Sequence, residues 1–90
     1  MYQYTGRKID CVLFPNPNNG SFTLDYTGTK ADVLDIEVVD VAGRVAAHQR
    51  WAVAAGTSQR TLDFRSLSRG TYVVSVRGAE GAVGIKTIVR

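Results

Sequence analysis

Few side chains in this sequence could carry out chemistry, and their spacing brings none of them together along the chain. His48 is the only histidine and Cys11 the only cysteine, and they lie in different strand-like segments. A catalytic site needs a nucleophile, a base and a group that orients the base, and a metal site needs several ligands at defined spacing. The sequence therefore predicts no catalytic residue, no metal ligand and no cofactor.

The remaining polar candidates have ordinary structural interpretations. No acid–base pair is singled out among the carboxylates, which are Asp25, Asp35, Glu37, Asp40 and Asp63. His48 shares a strand face with Arg44 and Arg50, which favours exposure to solvent over catalysis. Cys11 lies in an apolar run and is interpreted as a small buried hydrophobe. A single cysteine also excludes any disulfide within the chain.

Composition limits the chain to one small folded domain. It has 90 residues, of which 44% are hydrophobic and 21% charged. The net charge is +3, but the basic residues are scattered singly, so the sequence lacks the clustered footprint of a nucleic-acid binder. No segment is long and apolar enough to span a membrane. Residues 1–8 lack the features of a signal peptide, so we expect either a cytoplasmic protein or a piece of a longer chain whose export signal lies elsewhere.

Alternation of apolar and polar residues predicts seven strands and no amphipathic helix. The clearest is residues 21–27, where Phe22, Leu24 and Tyr26 alternate with polar residues. The predicted strands cover residues 9–14, 21–27, 34–38, 44–51, 57–64, 72–77 and 82–90. Seven short strands with regular turn signals indicate an all-β fold, an immunoglobulin-like antiparallel β-sandwich. Residues 1–8 are interpreted as a polar linker before a domain at 9–90.

The turn residues define the connections between these strands. Prolines and Asn-Gly place a firm turn at 15–20. Asp40 and Gly43 predict a hairpin with a glycine bulge. For residues 63–70 we expect one helical or 3₁₀ turn, with Asp63 as its cap and Leu67 closing the end of the sandwich. Residues 78–81 form the last hairpin loop.

Four motifs lie in the order and spacing of one known family. The first is LFPNPNNGSFTL at 13–24, similar to the family pattern YPNPxxGxFxL, with Phe14 in place of the commoner tyrosine. The second is residues 36–45, where VAGR at 41–44 is similar to VxDxxGRxV. The third is LSRGTYVV at 67–74, similar to LxxGxYxVxV, and the fourth is KTIVR at 86–90. Together they resemble the C-terminal sorting domain of proteins exported by the type IX secretion system.

The resemblance implies a function as an address and not as an enzyme. Such a domain directs a cargo protein from the periplasm across the outer membrane to the cell surface or the medium. Its partners are the type IX translocon and a surface sortase, which commonly removes the domain. The resemblance places recognition in the motif turns and the last strand, at Gly43, Arg44, Gly70, Tyr72, Lys86, Ile88, Val89 and Arg90. If the domain is cleaved, we expect the cut in the polar segment 2–8, which contains Gly6, Arg7 and Lys8, or just before it, because loop-like backbone can enter a protease cleft.

Three alternatives remain open from the sequence. The glycines, including Gly43 and Gly70, could be required only because turns need a positive φ. The domain could instead be an adhesion or carbohydrate-binding module, if Trp51 and the tyrosines formed an exposed platform, or a spacer. The edge of the terminal strand could also pair with a partner or with a second copy of the chain.

Overall fold

The computed structural model describes residues 9–90, which form two antiparallel sheets packed face to face. One sheet has the strand order β1-β2-β5 and the other the order β4-β3-β6-β7. This arrangement confirms the all-β sandwich of seven strands. No helix that could span a membrane occurs in the described part of the chain. The strands are β1 Asp10–Phe14, β2 Ser21–Gly28, β3 Asp32–Asp40, β4 Val45–Val53, β5 Gly56–Asp63, β6 Gly70–Gly78 and β7 Gly81–Val89.

The apolar positions of each strand point between the two sheets. Leu24 of β2 and Leu34 of β3 are fully buried, one from each sheet. Tyr26 and Trp51 meet across the interior edge to face, with their ring centroids 6.4 Å apart. Because strand side chains alternate between faces, the period-two pattern of the sequence predicts this core directly. Other buried core residues are Ile9, Cys11, Leu13, Phe22, Ile36, Val38, Val53, Leu62, Tyr72, Val74, Val76, Val83 and Val89.

The β3–β4 turn has the predicted glycine bulge. Gly43 adopts a φ of 84°, and its N–H donates to the carbonyl of Asp40 over 3.0 Å. The carboxylate of Asp40 accepts from the backbone N–H groups of Ala42 and Arg44 at 2.9 and 3.0 Å. A further irregularity follows, because Val38 pairs with Ala47 and Val39 with Val45, so that β4 contains one extra residue.

The segment 63–70 contains the single turn that the sequence predicts, and this turn does not continue into a helix. One hydrogen bond, from Leu67 N–H to the Phe64 carbonyl at 3.0 Å, closes a single turn. No further hydrogen bond extends this turn into a helix, because the neighbouring N–H groups donate to other acceptors. The N–H of Phe64 donates to the carbonyl of Gly20, and that of Arg65 donates to the Asp63 carboxylate. Leu67 does pack against the core as predicted.

Every connection between antiparallel strands lies at one of two ends of the sandwich. We call one the Arg90 end, formed by residues 15–20, 41–44, 64–69 and residue 90. We call the other the Ile9 end, formed by residue 9 and the connections 29–31, 54–55 and 79–80. The chain therefore enters the described domain at one end and reaches Arg90 at the other.

Candidate functional site

The four sequence motifs converge on the Arg90 end. The first contains the loop 15–20, the second ends in the β3–β4 turn, and the third begins in the loop before β6. The fourth is the end of β7, where Val89 pairs with Gly70. Asp40 pairs with Tyr72 on the other side of β6. Residues up to 72 positions apart in sequence therefore form one surface region.

The loop 15–20 joins the two sheets by pairing with the end of β7. The N–H of Asn18 donates to the carbonyl of Ile88 over 3.0 Å, and the N–H of Arg90 donates to the carbonyl of Asn18 over 2.8 Å. These bonds form a short parallel bridge between Asn18 and Val89. The loop thus extends the four-stranded sheet by a single residue beyond β7.

The side chain of Asn18 is buried and all its polar atoms are hydrogen-bonded. Its Nδ2 donates to Thr87 Oγ1 at 2.9 Å and to the Pro15 carbonyl at 3.1 Å. Its Oδ1 accepts from the Gly20 N–H at 2.9 Å. A buried amide stabilises a fold only when its donors and acceptor have partners. Asn18 therefore fixes both the loop and the end of β7.

Asn16 covers the adjacent part of the same strand edge. Its Nδ2 donates to the Lys86 carbonyl at 2.8 Å, and its Oδ1 accepts from the Ile88 N–H at 3.3 Å. The side-chain amide thus occupies the place of a neighbouring strand's peptide group. We call residues 16–18 the asparagine clamp. The spacing of the first motif gave no signal of this contact, because its partners lie 70 residues away.

The clamp changes the sequence-based interpretation of β7 as an open edge. Between Lys86 and Arg90, its outward backbone groups already have partners in the clamp. Further pairing by a second chain there would require the clamp to move. The earlier part of the edge, around Ala82 and Gly84, makes no such bond with the described residues. Pairing with a second copy is therefore a hypothesis only for this earlier part.

The predicted recognition residues divide into buried and exposed groups. Tyr72 is buried, and its hydroxyl donates to the Ser68 carbonyl at 2.6 Å, which ties the loop 64–69 to the core. Val89 is also buried, and Gly70 pairs with it at the start of β6. Tyr72 and Val89 therefore shape the Arg90 end from within. The exposed group is Gly43, Arg44, Gly70, Lys86, Ile88 and Arg90.

Two independent features, a positive φ and a close contact, require a glycine at Gly20, which is part of the first motif. Its φ is 99°, a conformation that residues with a Cβ rarely adopt. A Cβ at this position would also lie 2.7 Å from the Phe64 carbonyl oxygen. The close approach follows from the bond between the Gly20 carbonyl and the Phe64 N–H. The glycine therefore allows two loops of the Arg90 end to pack together.

Several titratable residues form surface ion pairs, and Cys11 lies in the core. His48 Nε2 lies 3.2 Å from the Asp35 carboxylate, which also binds Arg50. The hydrogen bond from His48, together with Arg50, lowers the pKa of Asp35. Burial, with the nearby carboxylates of Asp25 and Asp10, raises the pKa of the Cys11 thiol to about 12, so this thiol is not a nucleophile at neutral pH. Within residues 9–90, no group of three or more histidine, cysteine or carboxylate side chains could hold a metal ion.

The aromatic residues considered for a carbohydrate platform belong to the interior. Trp51, Tyr26, Phe22 and Tyr72 are all buried. A stacking platform needs exposed, coplanar rings, and these four rings do not supply one. A small cavity of about 160 Å³ does lie at the Ile9 end, beside Tyr26 and Glu80. Asp10, Thr27 and Thr29 also line it, and Glu80 already accepts a hydrogen bond from Thr29.

The fold and the site together define a small β-sandwich module whose distinctive residues gather at one end. Comparison with known families identifies it further. A family model described as the secretion system C-terminal sorting domain matches residues 12–90. The chain belongs to this family, which serves type IX secretion and is not an enzyme family. A search of curated proteins found no match.

Family membership defines the role of the domain in general terms. It acts as a C-terminal sorting signal and interacts with the type IX secretion machinery. The protein that carries it is exported to the cell surface or secreted. The first motif begins at Leu13, just inside the matched region, and the fourth ends with that region at Arg90.

Proposed function

We propose that the secretion machinery recognises the exposed residues of the Arg90 end, chiefly Lys86, Ile88 and Arg90. The observation that supports this proposal is the convergence of all four motifs on that end. Arg44 and Gly43 lie at the same end, in the exposed β3–β4 turn. In this scheme the buried motif residues keep the exposed ones in place.

The proposal includes the route and the fate of the domain. The cargo reaches the periplasm, the domain directs it through the outer membrane, and a surface sortase then removes the domain. The cut falls at Gly6, Arg7 or Lys8, which lie outside the described residues. A protease cleft accepts extended, unpaired backbone, whereas residues in strands are paired and protected. Cleavage before Ile9 would also occur at the end opposite the recognition residues.

Surface delivery of a reporter tests the sorting function. Residues 1–90 are fused to a periplasmic reporter and expressed in a bacterium with a type IX system. We expect the fusion at the surface or in the medium, and the reporter without residues 1–90 in the periplasm. Equal delivery of both would contradict the proposal. Mass spectrometry of the delivered cargo locates the cut, and a cut within the strands would exclude the proposed cleavage region.

A test of whether the machinery recognises the last residues needs point substitutions and not a truncation. Deleting 81–90 would remove a strand that pairs with β6 along its whole length and contributes Val83 and Val89 to the core. Loss of delivery could then follow from unfolding. The double substitution Lys86→Ala with Arg90→Ala leaves the core intact and should reduce delivery. Its control is Lys30→Ala with Arg60→Ala, which removes the same charge from exposed sites elsewhere and should deliver normally.

A further inference from the structure

The outer face of the four-stranded sheet carries its side chains in rows that run across all four strands. Nearest the Arg90 end, Val45 lies opposite Val39, Val39 opposite Val73, and Val73 opposite Lys86. Residues directly opposite each other in an antiparallel sheet point to the same side. This row is therefore aliphatic across three strands and ends in a lysine.

The next two rows towards the Ile9 end are charged, and their charges are paired. Asp35 binds both Arg50 and His48 at 3.2 Å. Glu37 lies 3.7 Å from Arg77. This part of the face satisfies its own charges and presents no unbalanced group to a partner. The aliphatic row thus differs sharply from its neighbours on the same sheet.

The aliphatic row continues into exposed apolar and basic residues. Ile88 lies beyond Lys86 on the same face of β7 and is 42% exposed, while Val45 is 52% exposed. Lys86 and Arg90 form no ion pair with any residue between 9 and 90. The result is an apolar surface with an uncompensated positive rim. We call it the valine patch, formed by Val39, Val45, Val73, Lys86, Ile88 and Arg90.

The asparagine clamp determines the direction from which these residues can be reached. The backbone edge of β7 at Lys86–Arg90 is already paired with Asn16 and Asn18. A partner that contacts Lys86 and Ile88 must therefore approach the face of the sheet and not its edge. From that direction it meets Val73 and Val39 next, because they follow across the sheet.

The positive charge of Lys86 and Arg90 indicates what kind of partner the valine patch would bind. Two copies of the valine patch would bring Lys86 and Arg90 against like charges, which disfavours self-association. Interfaces that form between soluble proteins combine an apolar centre with a polar, complementary rim. We propose that the valine patch binds a protein of the secretion machinery through an aliphatic surface bordered by carboxylates. This inference rests on the proposed function and adds the partner's chemistry to it.

Paired substitutions on one sheet face test the patch. Val45→Glu and Lys86→Glu place acid on the patch and should reduce reporter delivery at least tenfold. Val33→Glu is the matched control, because Val33 is 56% exposed on the same face of β3 near the Ile9 end. Lys30→Glu controls for the change in charge. Both controls should deliver like the wild type. Urea unfolding of the purified chain should give unchanged midpoints for all four variants.

The outcomes separate this inference from the sorting function. If the wild-type fusion is not delivered, the proposed function itself is wrong. If the wild type is delivered and Val45→Glu and Lys86→Glu are delivered equally well, the valine patch is not the docking surface. Equal loss with Val33→Glu would also overturn the inference. Sedimentation would overturn it if the wild type dimerises and Val45→Glu abolishes the dimer, since the occupant would then be a second copy.

Discussion

The two ends of this sandwich differ in the length of the loops that connect their strands. The Ile9 end joins strands with short connections at 29–31, 54–55 and 79–80. The Arg90 end uses loops of six residues at 15–20 and 64–69, which hydrogen-bond to each other and to β7. A hairpin such as β1–β2 can close with a two-residue turn. The six-residue loop 15–20 therefore exceeds what that hairpin requires.

The ends also differ in charge. Basic residues predominate at the Arg90 end, where Arg44, Arg65, Arg69, Lys86 and Arg90 face only Asp40 and Asp63. In the part of the chain that the structure describes, Asp10, Asp32 and Glu80 lie at the Ile9 end together with Lys30 and Arg77. A scattered pattern of charges along the sequence thus becomes an uneven distribution in space. This difference in charge supports the proposal that the machinery recognises the Arg90 end.

The largest expected effect tests how tightly the Arg90 end is packed. Gly20→Ala combines an unfavourable φ with a Cβ placed 2.7 Å from the Phe64 carbonyl oxygen, so we expect a loss of about 3–4 kcal/mol in the free energy of unfolding. Gly56→Ala at the Ile9 end is the matched control. Its φ is 100°, but a Cβ there meets nothing within 4 Å, so the loss should be about 1 kcal/mol. Urea unfolding measures both, and equal losses would mean that the Gly20 contact is unimportant.

The asparagine clamp gives the next effect. Asn18→Ala removes three side-chain hydrogen bonds and leaves the buried Thr87 hydroxyl without one partner. We expect a loss of about 2–3 kcal/mol, measured by urea unfolding. Asn19→Ala is the control, because Asn19 is exposed and makes one bond, to the Ser21 N–H; its loss should stay below about 1 kcal/mol. The clamp would not be a major stabilising contact if the two losses were alike.

Much of the fold could be predicted from the sequence, whereas the clamp could not. Alternating residues such as Phe22, Leu24 and Tyr26 indicate a strand locally, because side-chain direction follows directly from the pleat. The bond from Asn16 to Lys86 joins residues 70 positions apart, and no local pattern specifies such a contact. The motifs lie at the same end of the sandwich because of the direction in which each strand runs. The topology of the sandwich determines that direction. The sequence contained the motifs, but their common location appeared only in the fold.

A more local effect should appear when Asn16 is replaced. Asn16→Ala removes the acceptor of the Ile88 N–H without disturbing the pairing of β7 with β6. Amide exchange at Ile88 should accelerate about tenfold, which corresponds to about 1.4 kcal/mol. Thr87 and Val89 are internal controls, because their amides face β6 in the alternating ladder. Uniform acceleration at all three residues would indicate general loosening of the strand and not loss of the clamp.

The smallest effect concerns acid stability, which also involves the Arg90 end. Hydrogen bonds from the Arg44 backbone lower the pKa of Asp40, and those from Arg65 lower that of Asp63. A carboxylate with a lowered folded-state pKa stabilises the fold fully above its unfolded value of about 3.9. That contribution disappears as the pH falls through the lower, folded-state value. The urea midpoint should therefore decline from about pH 5 to about pH 3.

Replacing the two carboxylates tests this origin of the acid sensitivity. Asp40→Asn with Asp63→Asn should lower the urea midpoint at about pH 5 and flatten its decline towards about pH 3, because neither amide titrates. Asn19→Ala removes no carboxylate and should keep the wild-type slope. Both pairs are exposed to solvent, so added salt should weaken the ion-pair part of the effect. If the double variant keeps the wild-type slope, the acid sensitivity arises from carboxylates outside the Arg90 end. Asp35 is then the first to examine, because its pKa is also lowered.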